Sequence, residues 1–270
     1  MRLITLSVAA LVVLGSASLG TAGVVMKFTA HGTGDDAKPM SGSMEMQGDS
    51  VRVDNEGTTM IFRGDKQVVW VIPAGSDSYM EMTKDSMKQA AAGMDAAMAA
   101  MKDQLANMPP EQRAMVEKMM AQRAQPAAAP APVSETLKPT GKTETIAGHA
   151  TTAYDSYQGA ERVRESWVAD WKVFDLTAAD MRPLEEMADF MSALAPGMAK
   201  RMDTGFAAHY SGKDALPGVP LRVVAFSKTG DWTHEITSLQ RQDVAAARFE
   251  VPAGLTKEDA MSEMQGHQGR

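Results

Sequence analysis

The feature that most constrains this chain is a change of period. Between Val24 and Met82 apolar residues recur at every second position, and from Met87 onward they recur at intervals of four and three. A period of two belongs to a strand with one buried face and a period near 3.6 to an amphipathic helix, so the two stretches fold differently. In the first stretch Val24, Met26, Phe28 and Ala30 alternate with Lys27, Thr29 and His31. Met40, Gly42, Met44 and Met46 then alternate with Ser41, Ser43, Glu45 and Gln47. Turn residues at Gly48-Asp49, Asn55-Glu56-Gly57, Gly64-Asp65 and Pro73–Ser76 separate Val51–Asp54, Met60–Phe62, Val68–Ile72 and Tyr79–Met82. This spacing predicts an antiparallel meander of about six strands.

In the second stretch Met87, Ala91, Met94, Met98, Met101, Leu105 and Met108 share one helical stripe, with Lys88, Asp95, Lys102 and Asp103 off it. Thr83 is placed to cap this helix, and Asp85 in its first turn suits the helix dipole. Pro109-Pro110 stops it, and Pro110 opens a second helix striped by Met115, Val116, Met119 and Met120. The prediction is a helical hairpin over 84–123. Residues 124–140, rich in Ala and Pro, read as an extended connector. Strand patterns return at Lys142–Ile146, Ala150–Tyr157, Val163–Val168, Leu221–Ser227 and Trp232–Leu239, with a short last strand at Phe249–Pro252. Between them Thr177–Asp180 forms a capping-box pattern, Pro183 is placed to open a helix, and Leu184, Met187, Met191 and Leu194 make its stripe. The tail at 255–270 is polar and expected to fray.

Residues 1–22 have the tripartite pattern of an export signal: Arg2, an apolar run from Leu3 to Leu14, then small residues ending at Ala22. That run is shorter than the roughly 20 residues a bilayer-spanning helix needs. Cleavage is expected after Ala22, with a site near Ala17 or Ser18 as the alternative. The mature chain is therefore expected in the periplasm or outside the cell, without a transmembrane span.

Enzyme signatures are missing. There is no Gly-x-Ser-x-Gly elbow, no phosphate-cradling loop and no His-Glu-x-x-His helix. Lys228-Thr229-Gly230 has no accompanying Ser-x-x-Lys and reads as a hairpin turn. With no Cys, thiol catalysis and thiolate metal sites are excluded. The five His (His31, His149, His209, His234 and His267) are scattered, and His234 and Glu235 would point to opposite faces of a strand. A formal net charge of −7 argues against a sequence-independent nucleic-acid binder. No catalytic residue, cofactor or nucleic-acid partner is predicted.

The compositional outlier is 23 Met in 270 residues. Methionine is a flexible apolar gap-filler, so packing explains it; it also suits a deformable lining for varied apolar ligands. Thioethers bind Cu(I) as well, and Met44-x-Met46, Met80-x-Met82 and Met115-x-x-x-Met119 have workable spacing.

The chain also carries Met-Pro-Pro-Glu-Gln-Arg-Ala-Met at 108–115, Gly-Lys-Thr-Glu-Thr-Ile-Ala-Gly at 141–148, Glu-Ser-Trp-Val-Ala-Asp at 165–170 and Phe-Glu-Val-Pro-Ala-Gly at 249–254. In this order the motifs resemble a domain-of-unknown-function family of exported bacterial proteins. More distantly they resemble the LolA-like half-barrels that carry periplasmic lipoproteins. The resemblance implies an α+β fold: a curved antiparallel sheet, an open half-barrel of about ten to eleven strands, with the Met-rich helical hairpin and a further helix packed on its apolar concave side. One such domain is expected over 23–254. It offers no catalytic residues. A non-enzymatic protein is expected, holding a lipid, an acyl chain or a lipoprotein segment, or engaging an envelope protein partner. The expected lining is Met44, Met46, Met60, Phe62, Trp70 and Met80 from strands, with Met94, Met98 and Met101 from the hairpin. A periplasmic copper or silver binder and a ligand-free structural or envelope-stress protein are the alternatives.

Overall fold

The computed structural model describes residues 22–33, 38–89, 92–93, 99, 135–194, 215–227 and 230–258. The predicted meander forms β1 (Gly23–Gly32), β2 (Met40–Gln47), β3 (Ser50–Asn55), β4 (Thr58–Arg63), β5 (Val68–Pro73) and β6 (Ser78–Thr83). The later strands are β7 (Glu135–Ile146), β8 (His149–Gln158), β9 (Glu161–Asp170), β10 (Gly218–Ala225), β11 (Trp232–Gln242) and β12 (Thr256–Glu258). All twelve make one open sheet in the order β12-β6-β5-β4-β3-β2-β1-β11-β10-β9-β8-β7. The two strand sets join through β1, which pairs antiparallel with β2 on one side and β11 on the other.

The described residues alone form twelve strands, more than the ten to eleven expected. The tail at 255–270 is not wholly frayed: β12 pairs parallel with β6. The segment expected as a short strand at 249–252 instead follows a 3-10 helix, Ala246–Phe249. Strand β7 starts at Glu135, inside the stretch read as connector. Its ladder to β8 breaks register between Pro139 and Thr143, so pairing continues on both sides of the proline. The rest of the connector and nearly all of the hairpin at 84–123 lie outside the described residues. Residues 84–89 are helical, and the Thr83 hydroxyl accepts from the Ser86 N–H at 3.0 Å while the Ser86 hydroxyl accepts from the Thr83 N–H at 2.8 Å. Two of the backbone donors at that helix start, those of Thr83 and Ser86, are thereby satisfied.

The second predicted helix, α1, spans Arg182–Leu194 and buries Pro183, Leu184, Met187, Phe190 and Met191. The stripe Leu184-Met187-Met191 is as predicted; Phe190, one turn beyond Met187, widens it. The Thr177–Asp180 pattern sits at a 3-10 helix, Ala178–Met181, leading into α1. There the Asp180 carboxylate accepts from the Thr177 N–H at 2.8 Å and its hydroxyl at 2.9 Å.

Register resolves which side chains share a face. One transverse row is Val24, Met46, Val51, Phe62, Val69 and Met82; the next is Met26, Met44, Val53, Met60, Val71 and Met80. Helix α1 lies over this face, with the Phe190 ring 5.6 Å from that of Phe62. The opposite face of β4 and β5 presents Ile61, Val68, Trp70 and Ile72. Val244 and Phe249 are buried against it, and Val251 and Leu255 pack alongside, so residues 243–258 act as a strap. Three strap residues make five ionic contacts to the meander. Arg248 meets Glu45 at 2.9 Å and Asp54 at 3.0 Å, Glu250 meets Arg63 and Lys66, and Lys257 meets Glu81 at 2.6 Å.

Candidate apolar site on the concave face

Five of the predicted strand residues meet on one face: Met44, Met46, Met60, Phe62 and Met80. Trp70 does not join them. It lies on the other face, under the strap, with its indole N–H donating to Glu81 at 3.0 Å and the Lys66 ammonium 5.3 Å from its ring. The reason is parity. From β2 to β6 paired positions are separated by an even number of residues, so partners alternate between even and odd numbers: Met44–Val53–Met60–Val71–Met80. An even-numbered face on β4 is therefore an odd-numbered face on β5. Val69 and Val71 take the place expected for Trp70. Met94, Met98 and Met101 lie outside the described residues.

Burial along the two rows is graded. Met26, Met44, Met46, Val51, Phe62 and Val69 are buried, whereas Val53, Met60, Val71, Met80 and Met82 are half-buried. The row from Val24 is filled core as far as Val69 on β5, whereas the row from Met26 is buried only as far as Met44 and stays half-buried from Val53 to Met80. Gly42 belongs to this packing: a Cβ there would lie 2.5 Å from both the Asp54 carbonyl oxygen and the Phe28 ring.

The 3-10 helix that leads into α1 is tied to the sheet through Arg241. Its guanidinium donates to the Asp175 carbonyl at 2.8 Å, to the Asp180 carboxylate at 2.9 Å and to the Ala22 carbonyl at 3.2 Å. Burial pushes the Asp180 carboxyl up, but hydrogen bonds from Thr177 and the charge of Arg241 outweigh it and hold the carboxyl below its ordinary value.

Among the described residues the concave face is not filled throughout. A cleft of about 210 Å³ opens at its β10–β11 end. It is lined by Leu221 and by Ile236 to Leu239, by Phe174 from the 3-10 helix Trp171–Phe174, and by Ala147 and His149 at the β7–β8 turn. In a flat sheet that turn would stand about three strand spacings, roughly 14 Å, from β11. Shared lining shows that this end of the sheet curls inward, and Ile146 is buried in one cluster with Leu221 and Ile236.

Two bulges frame the cleft. On β11 Ser238 pairs with Lys27 and Ile236 with Phe28, leaving Thr237 as the extra residue. On β10 Pro220 pairs with Val168 and Arg222 with Trp167, leaving Leu221 as the extra residue. Since Arg222 pairs with Glu235, the two bulges lie at the same level of adjacent strands. A bulge bends its strand and re-aims a side chain, and bulges concentrate at barrel rims and beside sites. Leu221 and Ile236, each 1% exposed, lie beneath the cleft and reach almost none of it, so its accessible lining is mainly polar, with the exposed Thr237 and Ser238 and the half-buried His149 at the rim. The His149 ring packs 4.6 Å from that of Phe174 at the mouth. Sequence reasoning missed this cleft because a bulge leaves no mark in an alternating pattern. The β7–β8 turn at Ala147-Gly148 has both residues at positive φ.

Among the described residues no group of three His, Cys, Asp or Glu is placed to hold a metal ion. No described helix is long and apolar enough to cross a membrane.

No protein-family model and no curated protein sequence matches the chain. Solved structures resemble it at low similarity. The structure of PNGF-II is 10% identical over 92% of this chain and 33% of its own, with a TM-score of 0.36. MucB in complex with MucA is 10% identical over 87% of this chain and 56% of its own, with a TM-score of 0.32. A LolA-superfamily protein from Nitrosomonas europaea is 9% identical over 86% of this chain and 91% of its own, with a TM-score of 0.30. The chain thus spans about a third of the PNGF-II structure and just over half of MucB. Scores this low leave the functional reading to the chain's own residues.

Proposed function

We propose that the chain is a non-enzymatic, exported binding protein whose concave sheet face takes an apolar ligand, such as a lipid, an acyl chain or a lipoprotein segment. One observation carries this reading. The concave face is a continuous apolar surface that core packing covers only in part, with half-buried methionines toward β6 and a cleft at β10–β11. Apolar surface with a few convergent polar groups is the usual make-up of a small-molecule site. Soft-metal binding is less well supported. The one cross-strand pair of methionines in the two rows, Met26 and Met44, is buried in the core, and Val71 separates Met60 from Met80.

Native mass spectrometry of the mature protein, purified gently from its own compartment, tests the reading. Extra mass in the lipid or acyl-chain range, lost on organic extraction, is the expected result. Extra mass matching copper would replace it with the chelator. A bare polypeptide that also fails to bind an added fluorescent fatty acid would overturn it.

A further inference from the structure

We propose that the outer edge of β7 is a self-association site. Two copies of this chain pair there antiparallel, about a two-fold axis at Thr143, so that one sheet runs through both. This goes beyond the ligand reading above and does not rest on it.

The first observation is the edge itself. Strands β12 and β7 end the sheet. β12 has three residues, whereas β7 has twelve and pairs only with β8 among the described residues. Lys142, Thr143, Glu144 and Thr145 are all exposed. Successive residues of a strand aim their backbone N–H and C=O to alternate sides. The Glu144 carbonyl accepts from the Thr151 hydroxyl at 2.8 Å and so points toward β8. The backbone groups of Thr143 and Thr145 therefore point outward, where they can template another strand.

The second observation is charge. Two runs of ion pairs end at this edge. One is Glu235–Arg222–Glu144, at 2.6 and 3.0 Å; the other is Asp155–Arg162–Glu165–Lys142, at 2.6, 2.9 and 3.2 Å. The first ends on a negative side chain and the second on a positive one, two residues apart on the same face of β7. Pairing centred on Thr143 sets Lys142 opposite the partner's Glu144, and Glu144 opposite the partner's Lys142. Charge then alternates in sign without a break from one copy into the next. Centring on Lys142 or on Glu144 would set like charges face to face, which destabilises a ladder. A lone edge lysine guards against such pairing; in this register Glu144 answers it. The break in register between Pro139 and Thr143 keeps the new ladder short, so the dimer is a weak one.

Sedimentation equilibrium of the mature protein from about 5 to 500 µM tests the pairing. The expected result is a monomer–dimer equilibrium that weakens as salt is raised. Thr143→Pro removes an outward N–H and leaves the β7–β8 ladder whole. It should weaken dimerisation at least roughly tenfold, with the far-UV circular dichroism of the parent. Should that variant fail to fold, Glu144→Lys, which makes both cross-axis pairs repulsive, should weaken it as much. In the parent, amide exchange at Thr143 and Thr145 should slow as concentration rises. A parent that stays monomeric throughout the range overturns the proposal, and so does a dimer that neither substitution weakens.

Discussion

The two halves of this sheet differ in how they are covered. Around β2 to β5 both faces carry a cover, α1 over the row from Met46 to Val69 and the strap at 243–258 over Ile61, Val68, Trp70 and Ile72, although Val53, Met60 and Val71 stay half-buried. At β10 and β11 the concave side is only partly filled and leaves a cleft. The methionine-rich half is thus the better packed one. Methionine fills irregular gaps well, and here it fills them: Met26, Met44 and Met46 are buried with Phe62. Richness in a flexible apolar residue is no measure of empty space. The layers that cover a sheet, and the bulges that spoil its regularity, determine where space is left.

The contrast can be broken most sharply at Phe62. If the covered half is core, Phe62→Ala should destabilise by about 3–5 kcal/mol in denaturant unfolding. A loss below about 1 kcal/mol would mean that α1 does not pack as described. Gly42→Ala should cost about 1–3 kcal/mol, because its methyl meets the Asp54 carbonyl oxygen and the Phe28 ring; thermal denaturation at unchanged Tm would contradict the tight packing.

The strap's ionic contacts predict a pH dependence confined to this half. Burial raises the Asp54 carboxyl, but hydrogen bonds from Arg52 and Thr59 and the charges of Arg52 and Arg248 hold it below its ordinary value. Hydrogen bonds from Lys257 and Trp70 lower Glu81. Burial raises Glu250, and Lys66 and Arg63 more than reverse that. A carboxylate depressed in the folded state contributes stability that is whole above its unfolded pKa, about 4, and is lost as pH falls through that value toward the folded one. Amide exchange at 244–258 should therefore speed up relative to β8–β10 as pH drops from 5 to below 4, after correction for intrinsic rates. Equal change in both halves would show that the ionic contacts do not set the strap's stability. The smallest effect is expected from Lys257→Ala, under about 1 kcal/mol, because its partner Glu81 keeps the Trp70 N–H and exposed pairs are weak. Any measurable loosening should be confined to β12 and β6.

Much of the strand framework was legible. The alternation at Val24–Met46, the Gly48-Asp49 turn and the Leu184-Met187-Met191 stripe appear where their periods put them. The site was less legible. Five of six strand candidates share a face, but Trp70 was lost to the parity of a hairpin, which depends on a loop count and not on the residue's character. The strap was misread because Lys257 looks like a solvated tail residue and Glu250 like part of a short last strand until their partners Glu81 and Arg63, far away in sequence, are seen beside them.

The sequence by itself determined most of the segments that are strands, where α1 lies and the alternation within each strand, because period and turn chemistry are local. It also excluded thiol chemistry, by lacking Cys altogether. Tertiary structure alone decided that β1 joins two meanders into one sheet, that the polar C-terminal segment seals the convex face, and that space remains at β10–β11. Those outcomes depend on pairings between residues up to about two hundred positions apart, such as Gly23 with Gln242. Long-range pairing and bulge placement are set by how covered surfaces fit together, and no local pattern encodes that fit.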